Sequence, residues 1–204
     1  MKLLIAIPTL DYIHFTFAEC LSKLIKRLDY INVNFEVKFQ GGTLVYHGRD
    51  DLGRYAINEG FTHCLWLDAD MIFPETVFED LLDDNVDFIT AVYHARRPPY
   101  MSVIFSSLSP GVERFENYPI DVFEIAGCGF GCVLMKVEVL RQVCFANDSN
   151  MFLPTKSNGE DIAFCERWRK LGGKIYCDGG VRLGHISHAV IYPEDEERYK
   201  ERWH

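Results

Sequence analysis

Unbroken apolar runs alternate with segments of helical periodicity along the first half of the chain. Residues 2–7 and 64–67 are apolar without alternation, as in strands that are covered on both faces. Between them, residues 17–28 carry apolar side chains every three to four positions, with basic residues in the gaps, which predicts a helix. Further strands are predicted at 33–39, where apolar and polar residues alternate, and at 86–93.

Two more helices are predicted between these strands. Residues 51–59 indicate a short helix that ends at Gly60, a common C-terminal cap, and Pro74 suits the first turn of the next helix. The order β-α-β-α-β-α-β predicts an α/β fold with a mostly parallel sheet and helices on both faces. Ligands of such sheets bind beyond the carboxyl ends of the strands, so polar residues at strand ends are the first candidates for a site.

The second half of the chain is less regular. Residues 95–122 contain four prolines and predict a covering loop with short strands. The charged tail PEDEERYKERWH predicts an exposed helix, and the absence of a repeat or linker favours one domain over residues 1–204. The other predicted elements are a strand at 123–125, helices at about 137–144 and 160–171, and a strand at 174–177.

Composition narrows the functional classes. The chain has 48% apolar and 25% charged residues, as ordinary globular proteins do, and a net charge of −9. That charge disfavours a nucleic-acid partner, and an anionic ligand would need local positive groups. The longest apolar stretch, residues 125–135, is about half of the ~20 residues that cross a bilayer, so no membrane span is predicted. Seven cysteines, mostly in apolar segments, favour a reducing compartment, and a cytoplasmic location is expected.

The segment LWLDADMIFP places Asp68 and Asp70 where a buried strand ends. In extended backbone, residues two apart point the same way, so both carboxylates can face one hard cation such as Mg²⁺ or Mn²⁺. An isolated D-x-D is also typical of a solvated strand end. The neighbouring motifs therefore decide between the two interpretations.

Polar residues before the D-x-D strand supply part of that context. Thr9 and Asp11 follow the first strand in IPTLD, at a position from which a hydroxyl and a carboxylate can contact a base and a ribose. Arg49 and Arg54 lie just before the D-x-D strand. Their guanidinium groups would either bind phosphate or orient the aspartates.

The segment from SNGED to GHISH supplies the rest. Ser157 and Glu160 fit an S-x-x-E capping box, which explains Glu160 well and Asp161 only in part. His185 follows the next strand-like segment. A lone histidine is more often a loop residue with satisfied hydrogen bonds, but beside a D-x-D site it suits a metal ligand.

Taken in chain order, these motifs resemble those of GT-A glycosyltransferases, most of all the glycosyltransferase family 2 group and its small phage or bacterial relatives. The resemblance runs through IPTLD, HGRDDLGRYAINEGFTHCLWLDADMIFP, AGCGFGCVLMKVEVL, GEDIAFCERWRKLGGKIY and GHI, and omits about residues 100–120. It implies a GT-A, Rossmann-like fold and a metal-dependent transfer of a sugar from a nucleoside diphosphate sugar, most commonly a UDP-sugar, to a hydroxyl acceptor. Inversion is the expected outcome, although the fold supports both stereochemistries.

The resemblance also implies roles for the residues that match the family's motifs. Asp161 would be the general base that takes the proton of the acceptor hydroxyl. The residues that would bind the nucleotide are Pro8, Thr9, Asp11, Arg49, Arg54 and Asp68. Those that would hold Mn²⁺ or Mg²⁺ are Asp68, Asp70 and His185, with His188 competing for the last place. Those in the sugar and acceptor pocket would be Gly127, Gly129, Phe130 and Glu160.

The stretch HARRPPY is left open by the sequence. It puts Arg96 and Arg97 after a strand that is expected beside the D-x-D strand, where they would contact the diphosphate, the sugar or an acidic acceptor. A solvated loop is an equal alternative. Tyr93 and Tyr100 are candidates for stacking on a sugar ring, whereas Trp66 is expected in the core.

Two other functions remain open on the sequence alone. Sugar nucleotidyltransferases also combine a Rossmann-like sheet with metal-binding aspartates, although they usually open with a glycine-rich loop that IPTLDYIHF lacks. A non-catalytic module that binds nucleotide sugars or carbohydrates would have the same fold. Turnover of a nucleotide sugar separates these functions, and the sequence specifies neither the sugar nor the acceptor.

Overall fold

A central sheet with helices on both faces forms the body of the protein. The computed structural model describes residues 1–109 and 111–187. The strands are β1 (Lys2–Pro8), β2 (Asn34–Gln40), β3 (His63–Leu67), β4 (Met71–Ile72), β5 (Phe88–Val92), β6 (Ile104–Ser107), β7 (Glu113–Arg114), β8 (Val122–Ile125), β9 (Gly127–Cys128), β10 (Cys132–Lys136), β11 (Ile175–Arg182) and β12 (Gly184–His185). The helices are α1 (Phe15–Tyr30), α2 (Val45–Asn58), α3 (Val77–Asp83), α4 (Val137–Ala146) and α5 (Glu160–Lys170).

The central sheet has the strand order β2-β1-β3-β10-β5-β11-β8. The pairs β1–β2, β1–β3 and β5–β11 are parallel, whereas β10 and β8 run against their neighbours. The sheet is therefore mostly parallel, as the sequence predicts. Because β10 lies between β3 and β5, the strand before HARRPPY does not adjoin the D-x-D strand, and that expectation was wrong.

Side chains of each strand alternate between two cores, one on each face of the sheet. On one face, Leu3, Ile5 and Leu65 pack with the apolar sides of α1 and α3. On the opposite face, Leu4 and Trp66 pack with α2, α4 and α5. The alternation confirms the predicted α/β fold with helices on both faces. Within residues 1–109 and 111–187, no helix combines the length and the apolar character needed to cross a membrane.

Two helices begin at other residues than predicted. α2 begins at Val45 rather than at Asp51, because its first turns bury a polar side that hydrophobic periodicity does not detect. Asp50 is 4% exposed and accepts a hydrogen bond from the Phe152 backbone N–H at 3.0 Å. α3 begins at Val77, so Pro74 precedes the helix, and its carbonyl accepts the Val77 N–H at 3.2 Å.

The start of α5 corrects a second local prediction. Gly159 is the N-cap residue and no side chain caps the helix, so the capping box of Ser157 and Glu160 is wrong. Glu160 and Asp161 instead lie in the first turn, where the helix dipole stabilises negative charge. The position of His188 and the predicted helix in the charged tail lie outside the described residues.

Candidate active site

A buried arginine on α2 joins the two acidic motifs. Arg49 is 1% exposed, and its Nη2 donates to Asp68 Oδ1 at 2.9 Å. Its Nε lies 3.8 Å from Glu160 Oε1 and 3.7 Å from Asp161 Oδ1. The guanidinium lies over the Phe130 ring, 5.2 Å from its centroid. Burial lowers the pKa of Arg49, but the three carboxylates raise it more, so the pKa lies above its usual value and the side chain stays charged.

This burial favours one of the two roles that the sequence left for Arg49, the orientation of Asp68 and the α5 carboxylates. Its contact with a nucleotide stays a prediction. Arg54 donates to Asp51 Oδ1 at 2.7 Å and to the Ser149 carbonyl at 3.0 Å. Its contact with a nucleotide likewise stays a prediction.

Asp161 has the properties of a proton acceptor. Its Oδ2 accepts a hydrogen bond from the Phe130 N–H at 3.3 Å, while its buried Oδ1 has no hydrogen-bond partner among the described residues. Burial raises the pKa of Asp161, Arg49 lowers it, and Glu160 and Asp68 raise it again, which gives a pKa of about 7. A carboxyl group with this pKa, whose side chain is 28% exposed, is suited to general base catalysis near neutral pH.

The other aspartate of the D-x-D belongs to a separate ionic cluster. Asp70 Oδ2 accepts a hydrogen bond from Arg96 Nη1 and lies 3.4 Å from His185 Nε2. The pairing of β4 with β12 sets Met71 opposite His185, which explains this proximity. Arg96 belongs to HARRPPY, the stretch whose role the sequence left open. The sequence shows that an arginine is present there but not where its side chain lies.

Hydrogen bonding orients the imidazole of His185 in this cluster. His185 Nδ1 lies 2.8 Å from the His94 carbonyl oxygen, which fits a proton on Nδ1 and turns Nε2 towards Asp70. Burial lowers the pKa of His185, but the hydrogen bonds with Asp70 and the His94 carbonyl and the charge of Asp70 together raise it more, so the pKa lies above its usual value. The pKa of Asp70 is raised by burial and lowered more strongly by His185 and Arg96, so it lies below its usual value.

The predicted metal ligands are divided between these two clusters. Asp70 and His185 adjoin each other, whereas Asp68 is paired with Arg49. Among the described residues, no three histidine, cysteine, aspartate or glutamate side chains stand ready to hold a metal ion. Of the three predicted metal ligands, Asp70 and His185 are therefore the two that lie next to each other.

The loop after β1 lies against the D-x-D loop. The His14 N–H donates to the Ala69 carbonyl at 3.4 Å. Pro8 is buried at the end of β1, and the Thr9 hydroxyl donates within its own loop to the Tyr12 carbonyl at 2.9 Å. Asp11 is exposed beside them. The structure thus places these residues at the expected edge of the sheet, and their contact with a nucleotide stays a prediction.

The glycines of CGFGC let the backbone approach Tyr93 closely. A Cβ on Gly129 would lie 2.2 Å from the Tyr93 hydroxyl oxygen, and one on Gly131 would lie 2.7 Å from Tyr93 Cζ. The Gly131 N–H donates to that hydroxyl at 3.0 Å. Gly127 is buried, and a Cβ there would meet Leu108 at 3.0 Å.

The side chain of Phe130 lies in the core. Its side chain is 0% exposed and packs edge-on against Trp66 and Phe152 in the core. Only the backbone N–H of Phe130 reaches the site, through its hydrogen bond to Asp161. A contact of the Phe130 backbone with a sugar or an acceptor stays a prediction, since a sequence motif does not show which way the side chain points. Trp66 lies in the core, as expected.

Comparison with known proteins agrees with this architecture. No protein-family model and no curated protein matches the chain. Among solved structures, A197 from STIV is similar over 91% of this chain and 86% of that chain, with a TM-score of 0.62 and 18% identity. The catalytic domain of Drosophila beta1,4-galactosyltransferase 7, in complex with xylobiose, is similar over 96% of this chain and 78% of that one, with a TM-score of 0.55 and 15% identity.

A third solved structure extends the likeness to another class of enzyme. UDP-glucose pyrophosphorylase complexed with UDP-glucose is similar over 88% of this chain and 93% of that chain, with a TM-score of 0.50 and 12% identity. Identities this low establish the fold alone. The chain therefore has a GT-A-like, Rossmann-type α/β fold, which occurs both in a glycosyltransferase and in a sugar nucleotidyltransferase.

Proposed function

We propose that the protein transfers a sugar from a nucleoside diphosphate sugar, with UDP as the expected nucleotide, to a hydroxyl acceptor. The observation that carries this proposal is the environment of Asp161, which has a pKa of about 7 and a side chain that is 28% exposed. Arg49 links this carboxyl group to Asp68 of the D-x-D. The GT-A-like fold supports the same class of reaction by analogy.

In the proposed reaction Asp161 accepts the proton of the acceptor hydroxyl while that oxygen attacks the anomeric carbon of the donor sugar. The new glycosidic C–O bond forms as the bond from the anomeric carbon to the diphosphate oxygen breaks, and the nucleoside diphosphate leaves with both electrons. A single displacement of this kind inverts the anomeric configuration. Phe130 orients the base through its N–H, and Arg49 limits how far the burial of Asp161 raises its pKa.

A divalent cation, Mn²⁺ or Mg²⁺, fits the oxygen and imidazole donors of Asp70 and His185. The hydrogen bond between His185 Nδ1 and the His94 carbonyl leaves Nε2 as the metal-binding nitrogen. Two protein ligands suffice for such cations, because they commonly keep waters and substrate phosphates in their remaining positions. When bound, the cation would neutralise the charge that develops on the leaving diphosphate. Asp68 is the candidate for its outer shell or for the ribose.

A thermal-shift panel tests the donor site. UDP, GDP, dTDP and CDP are each compared with and without Mn²⁺ on three proteins: the wild type, Asp70→Ala and Asp29→Ala. Asp29→Ala is the control, because it replaces an exposed side chain on α1. A ligand at a hundred times its dissociation constant adds about 2.7 kcal/mol to the free energy of unfolding. We expect one diphosphate to raise the melting temperature only with metal, in the wild type and in Asp29→Ala but not in Asp70→Ala. A folded wild type that responds to no nucleotide would contradict the proposal and favour a binding module for other ligands.

The reaction products separate the proposed transfer from nucleotidyl transfer. Incubation with the matching nucleotide sugar and a panel of hydroxyl acceptors releases a nucleoside diphosphate if a sugar is transferred. Incubation with pyrophosphate instead yields a nucleoside triphosphate if the protein is a sugar nucleotidyltransferase. NMR of the glycosylated product then reports whether the anomeric configuration is inverted.

A further inference from the structure

A cavity of about 370 Å³ opens beside His185, where β5 and β11 end. Its volume lies in the usual range for small-molecule sites and suits a single sugar ring. The described side chains that give it its chemical character are Tyr93, His94, Arg96, Tyr100, Tyr118 and Arg182. Tyr93 also interacts electrostatically with Arg49 and Asp161, so the cavity adjoins the Arg49 cluster and adds further groups to the same edge of the sheet.

The cavity is basic in a protein of net charge −9. No aspartate or glutamate is among the described residues that line it. Arg96 is held by Asp70, whereas Arg182 forms no ion pair within the described residues and donates only a long hydrogen bond of 3.4 Å to the Gly179 carbonyl. Asp178, on the same strand, accepts the Gly180 N–H at 2.7 Å. Arg182 also borders a neighbouring pocket with Asp80, Asp83 and Asp178. Because it forms no ion pair with them, its guanidinium is available to an external anion.

Tyrosines supply the rest of the wall. Tyr100 is 48% exposed, and the Tyr118 hydroxyl lies 3.4 Å from His94 Nε2, a distance that leaves this contact weak. An aromatic face with a polar tip suits a sugar ring, because its C–H groups pack on the face while its hydroxyls find hydrogen-bond partners at the rim. The combination of guanidinium and phenol groups indicates a ligand that is both a saccharide and an anion.

We propose that this cavity is an acceptor-side subsite for a saccharide unit that carries a carboxylate or a phosphate. Arg182 pairs with the anionic group, and Tyr100 and Tyr118 contact the ring. The role of the cavity on the acceptor side rests on the proposed glycosyl transfer, whereas the binding of an anionic sugar does not.

Ligand-detected NMR tests the subsite without nucleotide or metal. The probes are glucuronate and glucose 6-phosphate, with glucose as the neutral reference. We expect both anionic probes to bind the wild type at least tenfold more tightly than glucose, because charge-assisted hydrogen bonds are the stronger ones. Arg182→Gln should weaken their binding about tenfold. Arg141→Gln, which removes an exposed arginine paired with Glu138 on α4, should leave it unchanged.

Equal affinity for glucose and the anionic probes, or an Arg182→Gln variant that binds them as the wild type does, would overturn the proposal. A second arm repeats the glucuronate titration with saturating UDP and Mn²⁺. Continued binding supports an acceptor-side subsite, and displacement would show that the cavity serves the donor's diphosphate. If UDP itself does not bind while glucuronate does, the proposed transfer and the acceptor-side role fail but the anionic-sugar site stands.

Discussion

Arg49 Nη2 and Asp68 Oδ1 lie 2.9 Å apart at the end of β3, and the arginine of this pair is buried. The pair places a permanent positive charge beneath the D-x-D and within reach of the acidic turn of α5. Removing one partner of a buried ion pair is costly, since it leaves the other charge without compensation.

Arg49→Met should therefore destabilise the protein at pH 7.5 by about 3–5 kcal/mol, because three carboxylates then lack their counter-charge. At pH 5 the loss should be smaller, since these carboxyl groups can take up protons. Urea denaturation at both pH values measures the difference. As a control, Arg141→Gln removes an exposed pair and should cost about 1 kcal/mol or less. A loss for Arg49→Met that is equal at both pH values would contradict the argument.

The raised pKa of Asp161 should appear in the pH dependence of stability. The folded protein binds a proton on Asp161 up to a pH of about 7, whereas in the unfolded chain this group releases it near its usual pKa of about 4. Between these values the folded state holds more protons, so the contribution of Asp161 to the free energy of unfolding falls as pH rises.

Asp161→Asn removes that contribution. The stability of the variant relative to the wild type should increase from about pH 4 to about pH 7 and then level off. Chemical denaturation of both proteins across this range gives the difference directly. A difference that does not change with pH would show that Asp161 titrates in the folded protein as it does in the unfolded chain.

The same group should govern the rate of the proposed transfer. We expect kcat/KM to rise with pH and to level off above about 7, because only the ionised Asp161 accepts the proton of the acceptor. Asp161→Asn should lower kcat by about 10²–10⁴-fold and abolish this inflection. Full activity in Asp161→Asn together with no activity in Asp70→Ala would remove Asp161 as the base and leave the proposed metal site standing.

Arg96 should compete with a divalent cation for Asp70. Its Nη1 donates to the same oxygen, Oδ2, that faces His185 Nε2. Arg96→Gln should therefore bind Mn²⁺, in the absence of nucleotide, about two- to fivefold more tightly, which is the scale of an exposed ion pair. Titration followed by electron paramagnetic resonance measures the affinity. Arg97→Gln removes the neighbouring charge and serves as the control, and equal affinities in the two variants would rule out competition at Asp70.

A side chain at position 129 should destabilise the protein. A Cβ there would overlap the Tyr93 hydroxyl, so Gly129→Ala should cost about 1–3 kcal/mol through displacement of the ring. Tyr93→Phe in the same chain should restore part of this loss, and a double-mutant cycle by urea denaturation measures the coupling. Gly111→Ala is the matched control, because a Cβ there meets nothing within 4 Å. Full additivity of the Gly129 and Tyr93 substitutions would contradict direct contact.

The sequence predicted the parts of the fold that apolar periodicity specifies. The ends of β1, β3, α1 and β5 were predicted to within two residues, because each element buries an apolar face. The start of α2 was missed because its buried side is polar and holds Arg49 and Asp50. The place of β10 was missed because no local pattern specifies which strands become neighbours.

For the site, motifs predicted which residues lie at the carboxyl edge but not how they pair. Asp161 and His185 lie near the D-x-D as expected, whereas Arg49 and Phe130 turned out to be buried beneath it. Side-chain direction depends on packing between elements that are far apart in sequence. The role of Arg96 was left open for the same reason, since only the fold carries its loop back to Asp70.

The antiparallel strand β10 has a consequence for how the chain folds. Val133 pairs with Trp66 of β3 on one side and with Thr90 of β5 on the other, so this late strand joins two halves of the sheet. Until β10 is synthesised, β3 and β5 expose unpaired edges at what becomes the centre of the sheet, and such edges promote association with other chains. Nascent chains that stop between β5 and β10 should therefore depend on chaperones, and the native sheet should assemble in one late and cooperative step.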